Sequence, residues 1–451
     1  MDKRLETFFE KAKDIGFIDK QLYKTHSVKN GLRNEDGTGV LVGLTKISDV
    51  VGYCRQCETK VDQRGQLFYR GIEINDIVNG ASHKNRLGKA NLFEETSFLI
   101  MFGYLPNAQE LEHFTRILHK KFHLPKDFLE SKILRAPTKN LMNKLQQDVL
   151  TLYNYDKTPD DVSVEHIVDQ GLHIVGKMPC LVAYNYQSKV HYFENESMYI
   201  HHVDEDLSFA ENILQMIRPD QEFTELEAHL LDIILVVHAD HGGGPNSTFV
   251  NVVMSSTGTD IYSSFAGAIG SLKGPKHGGA NIKVCQMMDE VIADIGYEAT
   301  AEQIKDVCLK LLAGSYFDQR GLIYGMGHAV YTLSDPRSEV LKNGARELAR
   351  EKNLETEFHF YERFEQVAKE VIKEKKGINV CSNVDFYSGF VYEKMLNIPR
   401  DLYTPLFVCA RSIGWLAHNL ESQMYSGKIV RPATKYVGEL CEYIDMDKRG
   451  E

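Results

Sequence analysis

Glycine collects with histidine, aspartate or arginine at four places in the chain: His238 to Asn246 (HADHGGGPN), Gly274 to Asn281 (GPKHGGAN), Gly325 to Arg337 (GMGHAVYTLSDPR) and Asn383 to Gly389 (NVDFYSG). Loops of this kind on a helical scaffold are where binding and catalytic groups usually sit. In the first, the apolar run Leu226 to Val237 predicts a helix capped by glycines, with His238 and His241 at its carboxyl end. Three readings of that pair stand side by side: a metal cluster, a structural or capping histidine, and anion binding by His241. An i, i+3 histidine pair supplies too few ligands for zinc, and no HExxH-type companion accompanies it.

In the second loop His277 precedes Ile282, Val284, Met287, Met288, Val291, Ile292 and Ile295, mostly at helical spacing, so it lies just before a helix amino terminus. The helix dipole disfavours imidazolium there, and a neutral histidine could donate to a carbonyl that is becoming an enol or enolate. The alternative is a loop histidine with no role, which the flanking glycines weaken because they let another molecule approach the backbone. In the third loop GMGH resembles a dinucleotide fingerprint, but Val330 stands where the third small residue is required. What remains is His328 in a glycine-lined loop with Arg337 downstream, for which a surface ion pair is the alternative. In the fourth, Asp385 stands among aromatic groups, where partial burial would raise its proton affinity and suit general-base work; an ordinary helix cap is the other reading. Thr404-Pro405 opens a helix carrying Phe407 and Arg411 one turn apart, and Arg431-Pro432 follows near the end.

Elements must position these groups, and the chain has the means. Its 451 residues, 43% apolar, can bury a large core and suggest more than one domain, while only 12 prolines and long helical periodicity predict a mostly helical fold. The segment Leu41 to Asp76 reads instead as a small hairpin region, with β-type runs at Val40 to Leu44 and Gln66 to Tyr69. From Leu92 a helix is expected, with Leu92, Leu99 and Phe102 marking an apolar face, Phe98 beside them, and Gly103 and Pro106 closing it. A net charge of −11 argues against nucleic acid or an anionic membrane as a global partner, so binding of anions requires local concentration of arginine. No apolar run approaches the roughly 20 residues that cross a bilayer, and Met1 to Gly16 is charged throughout, so the expected location is cytoplasmic. Eight scattered cysteines suit reduced thiols; the pair Cys54 and Cys57 has CxxC spacing but neither further zinc ligands nor a strand-to-helix context.

Taken in order, HADH, GPKHGGAN, GMGHAVY…DPR, NVDFYSG, ARSIGW and RP resemble the citrate synthase family over most of the chain, from about Leu41 to Arg431. The resemblance implies a mainly α, two-domain helical fold with a small β hairpin region near the N-terminus. It implies a large domain from residues 1–277 and 390–451 and a small domain from 278–389 that closes over substrate and excludes water. It implies an acyltransferase that condenses acetyl-CoA with oxaloacetate and hydrolyses the thioester, with no cofactor and no metal. Residue by residue, His277 would hydrogen-bond the thioester carbonyl, Asp385 remove a methyl proton, and His328 polarise and protonate the ketone. His241, Arg337, Arg411 and Arg431 would bind carboxylates, the last of these across the interface of a homodimer. Phe407 would pack beside the substrates, and the backbone of Leu322, Ile323, Tyr324, Gly325 and Gly327 would receive CoA. Where many relatives carry a basic residue that could face CoA phosphates, Tyr331-Thr332-Leu333-Ser334 has none. The nearest rival is 2-methylcitrate synthase, with propionyl-CoA in place of acetyl-CoA. A citryl-CoA lyase-like use of the scaffold, a metal-dependent hydrolase and a non-catalytic helical scaffold are further alternatives.

Overall fold

The computed structural model describes residues 6, 8, 10, 12, 17–56, 59–80, 91–425 and 427–449. The chain divides into two compact units, Met1–Val42 with Ile429–Glu451, and Gly43–Lys428. In the first, helix α1 (Gln21–Thr25) is followed by a turn closed by the antiparallel bridge between Arg33 and Gly39. This unit also holds Arg431, whose side chain is exposed.

The second unit opens with an antiparallel sheet, β1 (Ser48–Gln56), β2 (Thr59–Tyr69) and β3 (Ile72–Glu73), in the order β1-β2-β3, with Ser48 opposite Tyr69 and a register shift between Val51 and Tyr53. The hairpin region is therefore present, and Gln66 to Tyr69 lies in it. Val40 to Leu44 does not form a strand: Leu41 and Leu44 are 95% and 100% exposed and have no core to join. The partner of Gln66 to Tyr69 is instead Ser48 to Val51. Cys54 sits in β1 opposite Val61; Cys57 lies outside the described residues.

Helices make up nearly all the rest. After α2 (Ile74–Gly80), α3 (Leu92–Phe102) ends at Gly103, whose left-handed φ of 87° closes it as the sequence predicts. Then come α4 (Ala108–His119), α5 (Leu141–Leu152) and α6 (Val164–Glu194), a 31-residue helix with Pro179 inside it, followed by α7 (Phe209–Ile217) and α8 (Glu225–Ala239). The chain continues through α9 (Asn246–Ser255), α10 (Ile261–Leu272), α11 (Ala280–Ile295), α12 (Ala301–Leu312), α13 (Pro336–Glu351), α14 (Glu355–Lys376), α15 (Val384–Phe390) and α16 (Tyr403–Tyr425). No helix among the described residues is long and apolar enough to cross a membrane.

Two helices form the axis of the core. From Leu230 to Ala239 every residue of α8 is buried, and from Tyr403 to Asn419 all but Phe407 of α16 is buried. They meet where a side chain would not fit: a Cβ on Gly414 would lie 2.4 Å from the Ala239 carbonyl oxygen and 2.5 Å from Asp240 Oδ1. Glycine in mid-helix costs helix propensity, about 1 kcal/mol relative to alanine, and here the contact between backbones offsets it. Arg411 and His418 lie three residues before and four after Gly414, on the same face, so this crossing delivers both to the end of α8. The hairpin packs just as closely on the loop before α13, since a Cβ on Gly65 would fall 2.1 Å from the Ser334 carbonyl oxygen.

Candidate active site

The end of α8 is built differently from the glycine cap that the sequence suggests. Asp240, in extended conformation (φ −151°), is the capping residue, and Gly242 follows it with φ 73°. The buried Tyr69 hydroxyl lies 2.9 Å from the Val236 carbonyl and 3.0 Å from that of Asp240, and accepts the Asp240 N–H at 3.3 Å. Asp240 Oδ2 accepts from Ser48 Oγ at 2.5 Å, the Gly242 N–H at 2.9 Å and His418 Nε2 at 3.2 Å. Burial alone would raise this carboxyl, but His418, Arg411 and the Ser48 bond hold it below the ordinary range. Thus β1, β2 and α16 together fix the backbone that carries His238 and His241.

Arg411 is buried, donates Nε to the His238 carbonyl at 2.7 Å and stacks its guanidinium 4.8 Å from the Phe407 ring. Its Nη2 is buried without a hydrogen-bond partner, and so is Nε2 of His241. Buried polar nitrogens in a native fold need a partner, supplied by water or by a ligand. Burial pulls Arg411 down to about 10, against the opposing pull of Asp240 and with help from Arg337. Burial likewise pushes His238 down to about 3 and His241 well below its usual value, with Arg337 adding to both, so both rings are neutral. His238 donates Nδ1–H to the Ile234 carbonyl at 2.8 Å, which makes it a structural histidine. No group of three or more His, Cys, Asp or Glu among the described residues is arranged to hold a metal ion.

His277 lies in the turn before α11, its ring 6.3 Å from Phe407. Its Nε2 faces the Ser247 N–H at 3.4 Å and Ser247 Oγ at 2.9 Å. Ser247 stands in the first turn of α9, where helix N–H groups lack intrahelical acceptors. An acceptor Nε2 leaves the proton on Nδ1, and burial, then Arg411, lowers the ring to about 4. A neutral single-donor histidine results.

On the other side of His241, at 5.3 Å between rings, stands His328, stacked on the buried Tyr331. Its Nδ1 accepts the N–H groups of Val330 and Tyr331 at 3.1 and 3.2 Å, which leaves Nε2 as the nitrogen able to carry a ring proton. Arg337 is no surface residue. It is buried, and Asp335, the N-cap of α13, takes its Nε at 3.0 Å and Nη2 at 2.7 Å. Burial would lower its proton affinity, but Asp335 outweighs that and raises it. Nη2 of Arg337 and Nε2 of His328 are in contact at 3.3 Å, so the guanidinium and this edge of the ring face the same spot.

The strand-like segment 325–327 pairs with 381–383: the Gly327 N–H donates to Cys381 O at 2.7 Å, the Asn383 N–H to Gly325 O at 2.9 Å and Asn383 Nδ2 to Gly327 O at 3.0 Å. Asn383, not Asp385, caps α15, accepting the Asp385 N–H at 3.1 Å. Asp385 is half-buried, and its carboxyl is raised to about 6 by burial, with Arg337 opposing and Asp335 adding. In the loop ahead of it Leu322 is exposed, Ile323 buried, and Tyr324 donates its hydroxyl to Asp318 at 2.6 Å. Tyr331 and Ser334 face inward and to the hairpin, Ser334 Oγ accepting the Gly65 N–H at 3.1 Å.

His241, His277, His328, Arg337, Asp385, Phe407 and Arg411 therefore line one region of the second unit, through the contacts above. Arg431 belongs to the other unit. Tyr69, Ser247 and His418 were not singled out in the sequence; of these only His418 carried a signal, lying on the Arg411 face of a strongly predicted helix.

Neutral histidines, a raised carboxyl and buried arginines on a mainly helical scaffold define an enzyme site for anionic substrates. The family model for the citrate synthase C-terminal domain matches residues 36–433. A citrate synthase of Haloferax volcanii is 33% identical over 416 residues, covering 91% of this chain and 97% of that protein. The citrate synthase structure from Pyrobaculum aerophilum is 30% identical with a TM-score of 0.72, covering 91% of this chain and 94% of that one. A 2-methylcitrate synthase of Shewanella oneidensis is 30% identical over 373 residues, covering 82% of this chain and 88% of that protein. This chain belongs to the citrate synthase family, and is an acyltransferase.

The titration of Asp385 can be followed directly. Its carboxyl is expected to take up a proton as pH falls through about 6. Carbon-13 NMR of aspartate-labelled protein, with Asp385→Asn to identify the signal, checks this; a midpoint near the ordinary aspartate value of about 3.9 would contradict the burial argument.

Proposed function

We propose that this chain condenses acetyl-CoA with oxaloacetate and hydrolyses the resulting thioester, releasing citrate and CoA. The observation that carries the reading is the raised carboxyl of Asp385 and the neutral ring of His277 in the region where His328 meets the buried guanidinium of Arg337 and Arg411 stacks on Phe407. With Nε2 of His277 held by Ser247, Nδ1–H donates to the thioester carbonyl oxygen while Asp385 removes a methyl proton. The negative charge that develops on that oxygen is met by the His277 hydrogen bond, and the enol carbon attacks the ketone carbon of oxaloacetate. His328 Nε2–H delivers the proton to the ketone oxygen, which becomes the hydroxyl of the product. Water then cleaves the citryl thioester.

The dianion is held by Arg337, Arg411 and His241. Asp335 uses Nε and Nη2 of Arg337, so Nη1 is the arm left for substrate, beside Nη2 of Arg411 and Nε2 of His241. Guanidinium forks match carboxylates bidentately, which suits a substrate with two of them. The backbone of residues 322–327 is assigned to CoA, the small domain to 278–389, and no cofactor enters the reaction.

The likeness to a 2-methylcitrate synthase supports propionyl-CoA as a second reading. Steady-state rates with each thioester and oxaloacetate distinguish them. The expected result is a kcat/KM at least about tenfold higher for acetyl-CoA, the discrimination one methylene typically allows. A preference for propionyl-CoA would replace the first reading with the second.

We further propose that the chain works as a homodimer in which Arg431 completes the partner's carboxylate site. Inactive Arg431→Ala and Asp385→Asn chains, mixed under conditions where mass spectrometry shows subunit exchange, should regain activity. The hybrid then has one site with both lesions and one with neither. Exchange without recovery would place Arg431 outside the partner's site.

A further inference from the structure

Glu365, on α14, is a buried carboxylate to which four side chains donate. Ser382 Oγ donates to Oε1 at 2.7 Å, the Tyr387 hydroxyl to Oε2 at 2.5 Å and Lys342 Nζ to Oε2 at 3.1 Å, and Lys369 Nζ pairs with Oε1. Burial would raise this carboxyl, but the bonds from Lys369 and Tyr387 and the charge of both lysines hold it at about 2, so it is ionised throughout the working range.

The donors are not arbitrary. Ser382 and Tyr387 stand three residues before and two after Asp385, so Glu365 grips the short segment that carries the carboxylate from both sides. Ser382 Oγ also meets Ser338 Oγ at 3.1 Å, next in sequence to Arg337, and Lys342, one turn further along α13, lies 5.5 Å from the Tyr387 ring. Asn383 anchors the same segment on its other face, to Gly325 and Gly327. Lys369 differs from the rest: it lies four residues along α14 from Glu365, one-third exposed, and leads to neither Asp385 nor Arg337.

We propose that Glu365 is a positioning residue that sets the location of the Asp385 carboxylate, through Ser382 and Tyr387, relative to the methyl group it deprotonates. The proposal rests on the reading of Asp385 as the base. Proton transfer needs donor and acceptor within hydrogen-bond reach, and a displacement of about 1 Å can lower a rate by roughly two orders of magnitude. Ser382 touches Ser338 beside Arg337, but both Ser382 and Tyr387 bond Glu365 and not a guanidinium, so the effect belongs in kcat.

The test compares four variants by kcat, by calorimetric affinity for oxaloacetate and by melting temperature. Ser382→Ala/Tyr387→Phe, which keeps both lysine pairs of Glu365, should lower kcat at least about tenfold while oxaloacetate affinity stays within about twofold. Lys369→Met should lower the melting temperature but leave kcat within about twofold, because it removes an ion pair of Glu365 without touching the Asp385 segment. Should the double variant not fold, Tyr387→Phe alone, which retains the ring, should show the same split. A kcat near the parent's in these variants, or an equal loss in Lys369→Met, overturns the proposal and reduces Glu365 to a structural role. Asp385→Asn separates this failure from that of the underlying reading: if it retains the rate, both fall, and if it abolishes the rate while the Ser382 and Tyr387 variants do not, only the positioning claim falls.

Discussion

Two guanidinium groups are buried within reach of each other's charge, and the surrounding structure is arranged to tolerate them. Removing unpaired charge from water costs several kcal/mol per ion. Arg337 recovers part of this through both oxygens of Asp335, whereas Arg411 has only a carbonyl and an aromatic face, with Asp240 acting on it from beyond. Burial depresses His238 and His241, and the arginines depress them further, so the histidines add no further positive charge. The chain as a whole carries −11, and the pocket is a local reversal of that sign, built to be completed by an anion.

The same environment prepares two histidines in opposite ways. Backbone N–H groups bind Nε2 of His277 and Nδ1 of His328, so each ring offers a single N–H, from Nδ1 in the first and from Nε2 in the second. Backbone donors act on both rings. The first turn of α9 and the bend after His328 supply donors that have no other partner in regular structure. Asp385 receives the complementary treatment, since burial that keeps histidines neutral raises a carboxyl. One physical effect thus makes His277 a neutral donor and Asp385 a stronger base.

Most of the candidate site was legible in the sequence because its groups sit in short glycine-marked motifs, and α3 was legible from its apolar face and its closing glycine. What escaped was long-range. Tyr69 reaches Asp240 across 171 residues and His418 reaches it across 178, and no local spacing encodes such pairs. The reason for Gly414 is equally remote, being the Ala239 carbonyl on another helix. Glu365 was not singled out in the sequence, because its four donors come together only in the fold. The run Val40 to Leu44 misled for the converse reason: β-type residues form a strand only where a partner and a core receive them, and Leu41 and Leu44 have neither.

The central claim is that Arg411 is kept buried and incompletely paired in order to bind the substrate dianion. Calorimetric titration of oxaloacetate into Arg411→Met, which retains much of the side-chain volume beside Phe407, tests this most directly, with melting temperature as a control for folding. The account predicts affinity weakened by about two orders of magnitude in a folded protein, the loss expected for one partner of a buried charge pair. Affinity within a few-fold of the parent protein would contradict it.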